Sequence, residues 1–225
     1  SRLVNAKKDI GIVTDIVSIA SYWLTLIGRA DHAGTTSMQD RLDAAQGASA
    51  FAFAAREIVL RDFPRCVVNV GNMVFAPGAF NIVPASVIVS LEFRAPSAEE
   101  MQKLNVALIE RAKVEAKRFG LGLAIEFLSK HEPAPMSESM QKAFADACDS
   151  LGLTHMLLVS GAGHDAQSLA ALCPVGMIFV PSVGGVSHSP KEFTEWQDCV
   201  NGANVLLQTA LRFAVGHEIF KGGQQ

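Results

Sequence analysis

The spacing of apolar and polar residues divides the chain into two stretches that predict different kinds of sheet. From residue 22 to residue 127 the pattern switches between strand-like alternation and helical spacing, which predicts strand, helix, strand, strand, helix, strand. The predicted strands are 22–28, 66–75, 86–94 and 121–128, and the predicted helices are 40–61 and 97–118. A βαββαβ order of this kind gives an antiparallel sheet with two helices on one face.

The second of these helices has sequence signals at both ends. Ser97 is its predicted N-cap, and Glu100 follows three residues later, as in a capping box. Gly120 is predicted to stop the helix just after Arg118.

After the break at Pro133 and Pro135 the pattern changes. The spacing predicts helices at 137–151, 166–172 and 195–213, buried strands at 157–159 and 175–180, a glycine-rich turn at 160–164 and a loop at 182–190. Strands that alternate with helices suit part of a parallel α/β sheet. Because two or three strands cannot close such a sheet alone, we expect this half to need neighbouring strands.

Length and composition exclude several classes of protein. The chain has 225 residues, enough for one or two domains, and 49% of them are hydrophobic. Its formal charge of -3 gives no basic footprint for nucleic acid, and no apolar run reaches the ~18 residues of a membrane span. The four cysteines stand far apart, so we expect buried thiols and not a disulfide framework. A chain without disulfides is expected in the cytoplasm.

The start of the chain carries little pattern. Residues 1–9 predict an irregular leader. The first residue is Ser1 instead of Met, which fits a piece of a longer polypeptide and fits equally the ordinary loss of an initiator Met.

Three histidines lie in glycine- and serine-rich loops at the ends of predicted strands, where active sites commonly form. His188 follows a Gly184-Gly185 pair, and its imidazole is a candidate ligand for Zn²⁺ or Mn²⁺; the alternative is a hydrogen-bonded surface histidine. His164 and Asp165 end a glycine turn and open a helix, which could offer backbone N–H groups to an anion, although Asp165 is equally a candidate helix cap.

The third of these histidines, His32, could donate a hydrogen bond to an amide oxygen in a transition state; the alternative is a turn histidine held by Thr35 or Thr36. Arg94, at the end of a strand, suits bidentate capture of a substrate carboxylate. Asn81 can offer both a donor and an acceptor. Each of the last two is more often structural when it occurs alone.

Five spaced motifs carry a resemblance to a known family. They are 31–38 (Asp-His-Ala-Gly-Thr-Thr-Ser-Met), 81–84 (Asn-Ile-Val-Pro), 93–94 (Phe-Arg), 160–167 (Ser-Gly-Ala-Gly-His-Asp-Ala-Gln), and 179–182 with 187–192 (Phe-Val-Pro-Ser, Ser-His-Ser-Pro-Lys-Glu). In these motifs the chain resembles the M20 metallopeptidase-type amidohydrolases. The branch it resembles is the hydantoinase/carbamoylase group, with N-carbamoyl-L-amino-acid hydrolase, β-ureidopropionase and allantoate amidohydrolase.

The resemblance implies an α/β protein with an inserted α+β domain. Residues 22–132 then form a ferredoxin-like lid, which also makes the homodimer contact. The lid is inserted in an incomplete α/β zinc-hydrolase domain, of which residues 133–225 are the C-terminal part. Residues 1–21 are the end of a catalytic-domain segment or a leader.

The resemblance also implies roles for individual residues. His188 matches the last metal ligand, and His32 matches the lid histidine that acts on the substrate or transition state across the dimer. Asn81 and Arg94 match lid residues that hold the carboxylate end of the substrate. The turn with Gly161 and Gly163 matches a backbone segment that also contacts substrate.

One part of the family pattern is absent from these residues. The other metal ligands of the family and its paired-glutamate base precede the lid, and residues 1–20 hold no equivalent. One prediction is therefore the C-terminal part of a Zn²⁺- or Mn²⁺-dependent amidohydrolase that cleaves N-carbamoyl-L-amino acids or allantoate-like substrates and is inactive alone. The alternative is a non-catalytic truncated homologue that serves as a dimerisation module.

Overall fold

The computed structural model describes the backbone of residues 2–221 and the side chains of residues 2–214; Ser1 lies outside the described residues. The strands, in chain order, are β1 (Ile10–Ile16), β2 (Ser18–Ile27), β3 (Asp31–His32), β4 (Val67–Ala76), β5 (Ile82–Val83), β6 (Ser86–Ala95), β7 (Gly122–His131), β8 (Ala134–Pro135), β9 (His155–Ser160) and β10 (Ile178–Phe179). The α-helices are α1 (Arg2–Ala6), α2 (Ala44–Asp62), α3 (Ala98–Arg118), α4 (Glu138–Ser150), α5 (Asp165–Leu169) and α6 (Trp196–Lys221), and short 3₁₀ turns occupy Met38–Asp40 and Val183–Gly185.

The chain forms two compact units. The inserted unit is Val17–Pro133, and the flanking unit consists of Ser1–Ile16 and Ala134–Gln225. None of the helices in the described part of the chain has the length and apolar character needed to cross a membrane.

The inserted unit is built on a four-stranded antiparallel sheet in the order β4-β6-β2-β7. Its central pair, β2 and β6, is in register from Ser18 opposite Ala95 to Ile27 opposite Ser86. Beyond this pair, the short strands β3 and β5 form a separate two-stranded ladder. The strand predicted over 22–28 begins at Ser18, within an apolar run that hides where the alternation starts.

One face of this sheet carries the hydrophobic core. In β6, Val87, Val89, Leu91 and Phe93 are fully buried, whereas the residues between them are at least partly exposed. Helices α2 and α3 cover the buried face and pack into the same cluster. Arg94, which alternates with the buried positions, therefore lies on the sheet face opposite the helices.

The ends of the helices follow local chemistry. The Ser97 hydroxyl accepts a hydrogen bond from the Glu100 N–H at 3.2 Å, which confirms the predicted N-cap of α3. The Glu100 carboxylate is bound by Arg65 at 2.8 Å and by the Ser97 hydroxyl at 3.3 Å. Gly120 lies just past the end of the helix with a φ of 67°, a left-handed conformation that glycine adopts at little cost.

The flanking unit is organised around β1. This strand pairs in parallel with β9 and antiparallel with both β10 and β8. Ile10 and Ile12 pack into one cluster with Phe144 of α4, while Val13 and Ile16 pack into another on the opposite face. A strand that is buried on both faces reads as a continuous apolar run, so its sequence shows no period of two.

Four predictions for the flanking unit were wrong. The expected parallel sheet is mixed, because β10 and β8 run antiparallel to β1. The strand predicted over 175–180 is reduced to Ile178–Phe179, and the strand predicted over 157–159 is longer, with Leu157 60% exposed. The expected irregular leader contains α1, which a single buried side chain, Leu3, anchors.

The cysteines only partly follow the prediction. All four are free thiols; Cys66 and Cys148 are buried, whereas Cys173 and Cys199 are exposed. Burial raises the pKa of Cys66 and that of Cys148 to about 11, so both are protonated thiols near neutral pH.

Candidate functional site

The structure brings His32 and Asn81 together. Asp31 and His32 form β3, which pairs antiparallel with β5 so that His32 lies opposite Ile82. The next residue, Ala33, donates its N–H to the carbonyl oxygen of Asn81 at 2.9 Å. Two motifs that are about 50 residues apart in sequence thus lie side by side on a ladder of backbone hydrogen bonds.

The ring of His32 has a defined hydrogen-bond partner. Its Nδ1 accepts a hydrogen bond from the N–H of Gly34 at 3.0 Å. A neutral imidazole with this acceptor carries its proton on Nε2. Because His32 is exposed, the Nε2–H can donate to an oxygen of a bound molecule.

His32 also belongs to a turn, as the alternative interpretation expected. The turn is closed by backbone groups: the N–H groups of Thr35 and Thr36 donate to the carbonyl oxygen of His32 at 3.3 and 3.1 Å. The backbone turn and the exposed ring therefore coexist, and the turn places the Gly34 N–H against the ring.

Two arginines that were not predicted from the sequence to have a role bind this loop. Arg41 donates to the carbonyl oxygens of Ala33 and Thr36, and Arg29 forms an ion pair with Asp31 at 2.8 Å. Arginines at the ends of a loop look like solvated surface charges in the sequence. Their partners here include backbone carbonyls, which no residue pattern reveals.

Arg94 already has an internal partner. Its Nε and Nη2 both donate to Oε1 of Glu92, at 3.0 and 2.7 Å. Glu92 and Arg94 are two residues apart on β6, so their side chains lie on the same face of the sheet, and both are partly exposed. A substrate carboxylate that binds to Arg94 would have to compete with this ion pair.

Arg94 is also distant from His32 and Asn81 within the inserted unit. Arg94 pairs with Ile19 at one end of the β2–β6 ladder, whereas Ser86 pairs with Ile27 at the other end, from which the chain continues to His32. The eight residue steps from Ser86 to Arg94 span about 26 Å of extended strand. The unit therefore brings His32 and Asn81 together and keeps Arg94 away from them.

In the flanking unit, a glycine turn and the loop that carries His188 share a cleft. Gly161 follows β9 and, together with Ser182 and Gly185 of the loop, lines an open cleft of about 420 Å³. Gly163 is exposed two residues further along the turn. The Ser160 hydroxyl stabilises the turn by donating to the Ala162 carbonyl at 2.8 Å.

The cap of the helix after this turn differs from the expected one. His164, and not Asp165, is the N-cap of α5, because Nδ1 of His164 accepts from the Ala166 N–H at 3.1 Å. An imidazole thus takes the place of the carboxylate expected at the N-cap of α5. Because α5 has only five residues, its dipole adds little to anion binding at the turn.

His188 has a rare backbone conformation. Its φ of 55° is left-handed, a region that residues other than glycine seldom adopt without a structural or functional reason. Its N–H donates to the Glu192 carboxylate at 3.0 Å, and the Glu192 N–H donates to the Ser189 carbonyl at 2.9 Å. These bonds hold the exposed His188 at the surface of a tightly turned loop.

The residues around His188 do not fit a complete metal site. Within residues 2–214, no three side chains of His, Cys, Asp or Glu gather where they could hold one ion. A catalytic zinc takes about three protein ligands and a water. The described residues thus supply His188 as a candidate donor and do not by themselves form the set that a bound Zn²⁺ or Mn²⁺ needs.

Comparison with known proteins identifies the family. The sequence profile of peptidase family M20/M25/M40 matches residues 4–212, and the chain belongs to this family. It is 37% identical over 214 residues to an N-carbamoyl-L-amino acid amidohydrolase of Geobacillus stearothermophilus, a match that covers 95% of this chain and 52% of that protein. It is 32% identical over 210 residues to an allantoate amidohydrolase of Bacillus subtilis, covering 92% of this chain and 50% of that protein.

A solved structure agrees with these relatives. An amidase of the hydantoinase/carbamoylase family from Burkholderia multivorans superposes with a TM-score of 0.85 at 35% identity, over 92% of this chain and 50% of that one. The resemblance inferred from the five motifs is confirmed. The chain spans about half the length of the curated relatives that it matches.

Proposed function

We propose that this chain is part of an amidohydrolase that cleaves the carbamoyl or ureido C–N bond of N-carbamoyl-L-amino acids or allantoate-like substrates. The observation that carries the proposal is that the exposed His32, whose Nδ1 accepts from the Gly34 N–H, lies opposite Ile82 on a short ladder, next to the bond from the Ala33 N–H to the Asn81 carbonyl oxygen. The names of the relatives support the substrate class, since they include amidohydrolases for carbamoyl amino acids and for allantoate.

In this proposal His32 stabilises the charge that develops on the substrate oxygen. When water adds to the carbamoyl carbon, the carbonyl oxygen of the carbamoyl group becomes an oxyanion. The Nε2–H of His32 donates a hydrogen bond to this oxyanion. A donor fixed before the reaction lowers the barrier without reorganisation at the moment of bond formation. The C–N bond then breaks and releases the amine. In this proposal the groups that activate the water and protonate the leaving nitrogen would come from residues outside the described set.

Arg94 is proposed to bind the carboxylate of the substrate, with the Asn81 carboxamide as a further hydrogen-bonding group. A carbamoyl amino acid is under about 10 Å long, so it cannot reach both Arg94 and His32 of one chain across about 26 Å of strand. This separation supports a homodimer in which His32 and Asn81 of one ferredoxin-like lid, residues 22–132, act in the site of the other copy. Arg94 would then exchange Glu92 for the substrate.

His188 is the residue through which this chain would contribute to a Zn²⁺ or Mn²⁺ site. Its left-handed loop holds it at the surface, and a metal ligand that must project from a tight loop is one reason for such a conformation. The remaining ligands would come from residues outside the described set. Gly161, which lines the cleft together with Ser182 and Gly185, and Gly163, two residues further along the turn, would present backbone groups to the substrate.

A non-catalytic dimerisation module is the second candidate. Two observations favour it. Residues 2–214 contain no group of side chains that could hold a metal ion, and the inserted unit is compact in its own right. The coding sequence upstream of Ser1 separates the two. A His-x-Asp and paired-glutamate segment in the same reading frame supports the enzyme, and its absence refutes it.

The chain itself gives a second test. We expect it to bind little zinc or manganese by elemental analysis and to release no product from N-carbamoyl amino acids or allantoate. The full upstream reading frame, if it carries the segment above, is expected to do both. Near-stoichiometric metal with turnover in the 225-residue chain would contradict the proposal that its site is incomplete.

A further inference from the structure

Arg41 lies at the end of the loop that carries His32 and directs its guanidinium into that loop. Its Nη2 donates to the carbonyl oxygen of Ala33 at 2.5 Å, and its Nε donates to the carbonyl oxygen of Thr36 at 3.1 Å. The side chain is half-buried. A fixed cation thus has backbone carbonyls on both sides of the turn as its partners, and the planar guanidinium suits this two-point contact.

The contact with Ala33 bears directly on the His32 ring. The carbonyl of Ala33 and the N–H of Gly34 belong to one peptide group and point to opposite sides of it. Arg41 binds the carbonyl side, and the N–H side donates to Nδ1 of His32. A charge-assisted hydrogen bond at one end of a peptide group fixes its plane and strengthens the donor at the other end.

We propose that Arg41 is a positioning residue that fixes the tautomer and the orientation of His32 through the Ala33–Gly34 peptide. With Nδ1 held as an acceptor, the neutral ring keeps its proton on Nε2, its other nitrogen. The catalytic use of that proton rests on the proposed function. The link between Arg41 and the state of the ring does not.

Space around Gly34 supports the same arrangement. A Cβ at this position would lie 3.2 Å from Cε1 and 3.5 Å from Nδ1 of His32. The ring is therefore packed directly against the peptide that Arg41 binds, and the residue without a side chain permits this approach.

Arg29 provides a matched control. It lies in the same loop and is also an arginine, but its contacts are the Asp31 carboxylate and, at 3.4 Å, the carbonyl of Asp40. If any arginine that binds the loop could hold His32 in place, removal of Arg29 would disturb the His32 ring as much as removal of Arg41. If Arg41 acts through the Ala33–Gly34 peptide, removal of Arg29 will leave the His32 ring undisturbed.

The experiment is nuclear magnetic resonance of the 225-residue chain with ¹⁵N-labelled histidine and glycine. Long-range ¹H–¹⁵N correlation at a pH of about 8.5, where an ordinary imidazole is neutral, reports the tautomer. We expect a single Nε2–H tautomer in the wild type. Arg41→Ala should give a mixture of both tautomers and speed the exchange of the Gly34 amide with water by about tenfold. Arg41→Lys should be intermediate, because an ammonium lacks the fork that reaches both carbonyls.

Arg29→Ala is expected to leave both readouts as in the wild type. An unchanged tautomer and exchange rate in Arg41→Ala would overturn the proposal, and so would an equal change in Arg29→Ala. If Arg41→Ala does not fold, Arg41→Lys decides by the same criteria. A complete reading frame without turnover, but with a fixed His32 tautomer, would refute the proposed function and leave this relay intact.

Discussion

The two units of this protein organise their hydrophobic cores differently. The inserted unit has a single cluster on one face of a regular antiparallel sheet, covered by two helices. In the flanking unit, the described side chains form two smaller clusters, one on each face of the strand β1. A one-sided core imposes a period of two on every strand, whereas a two-sided core removes that period from the strand at its centre. This difference explains why the inserted unit is the easier one to predict.

The largest expected effect tests the one-sided core. Phe93→Ala removes a fully buried aromatic ring and should lower the free energy of unfolding of the inserted unit by about 3–5 kcal/mol. Trp23 lies in this unit and Trp196 in the other, so denaturation followed by fluorescence in a Trp196→Phe background reports the inserted unit. Phe80→Ala, at a fully exposed phenylalanine of the same unit, is the control and should change stability by less than about 0.5 kcal/mol. Similar losses for both variants would contradict a single core on the helix-covered face.

The next effect tests the two-sided core. Ile12→Ala should destabilise the flanking unit by about 2–5 kcal/mol, because Ile12 is fully buried in the centre of that unit. Leu157 lies directly opposite Ile12 in the β1–β9 ladder but is 60% exposed, so Leu157→Ala should cost less than about 0.5 kcal/mol. Fluorescence of Trp196 in a Trp23→Phe background measures both. A larger loss for Leu157→Ala would show that β9 and not β1 is the centre of the unit.

A smaller effect concerns the hydrogen bonds that join the starts of β1 and β9. The Asp9 carboxylate accepts from the N–H and the hydroxyl of Thr154, both at 2.7 Å, and these bonds hold the pKa of Asp9 below its ordinary value of 3.8. A carboxylate with a lowered pKa stabilises the fold above its ordinary pKa, and this contribution is lost as the pH falls through the lowered pKa. Because the contact lies near the surface and is screened by solvent, Asp9→Asn should lower the free energy of unfolding by only about 0.5–1 kcal/mol near neutral pH, and by progressively less in acid.

Denaturation of the flanking unit at a series of pH values measures this dependence. Thr154→Val should cause a similar loss, and the double variant should lose less than the sum because the two residues share the same bonds. A pH-independent loss in Asp9→Asn would show that the charge of the carboxylate is not what stabilises the contact.

The smallest effect on stability is expected at the candidate site. In Gly34→Ala the new Cβ would crowd the His32 ring at 3.2 Å, so the ring should turn away and release the Gly34 N–H. Because His32 is exposed, the free energy of unfolding should change by less than about 1 kcal/mol. The tautomer of His32 should become mixed, as measured by ¹H–¹⁵N correlation. Gly161→Ala, where a Cβ meets nothing within 4 Å, is the control and should leave the ring unchanged.

The sequence by itself predicted most of the inserted unit and part of the candidate site. Strand-like alternation placed its strands, and helical spacing placed its helices, to within a few residues. The signals at Ser97 and Gly120 predicted the ends of α3 correctly, because helix caps and stops depend on neighbouring residues alone. The spaced motifs were sufficient to identify the family. The roles of His32, Asn81, Arg94 and His188 stay predictions.

The tertiary structure decided what depends on contacts between distant residues. Backbone hydrogen bonds set the strand directions around β1 and place His32 beside the Asn81 segment, and a backbone carbonyl, that of Ala33, is the partner of Arg41. Contacts to backbone groups leave no pattern in side-chain type. The distance of Arg94 from His32 is likewise a property of strand length and register. Local periodicity thus determines which elements form, while hydrogen bonds between elements determine which chemical groups meet.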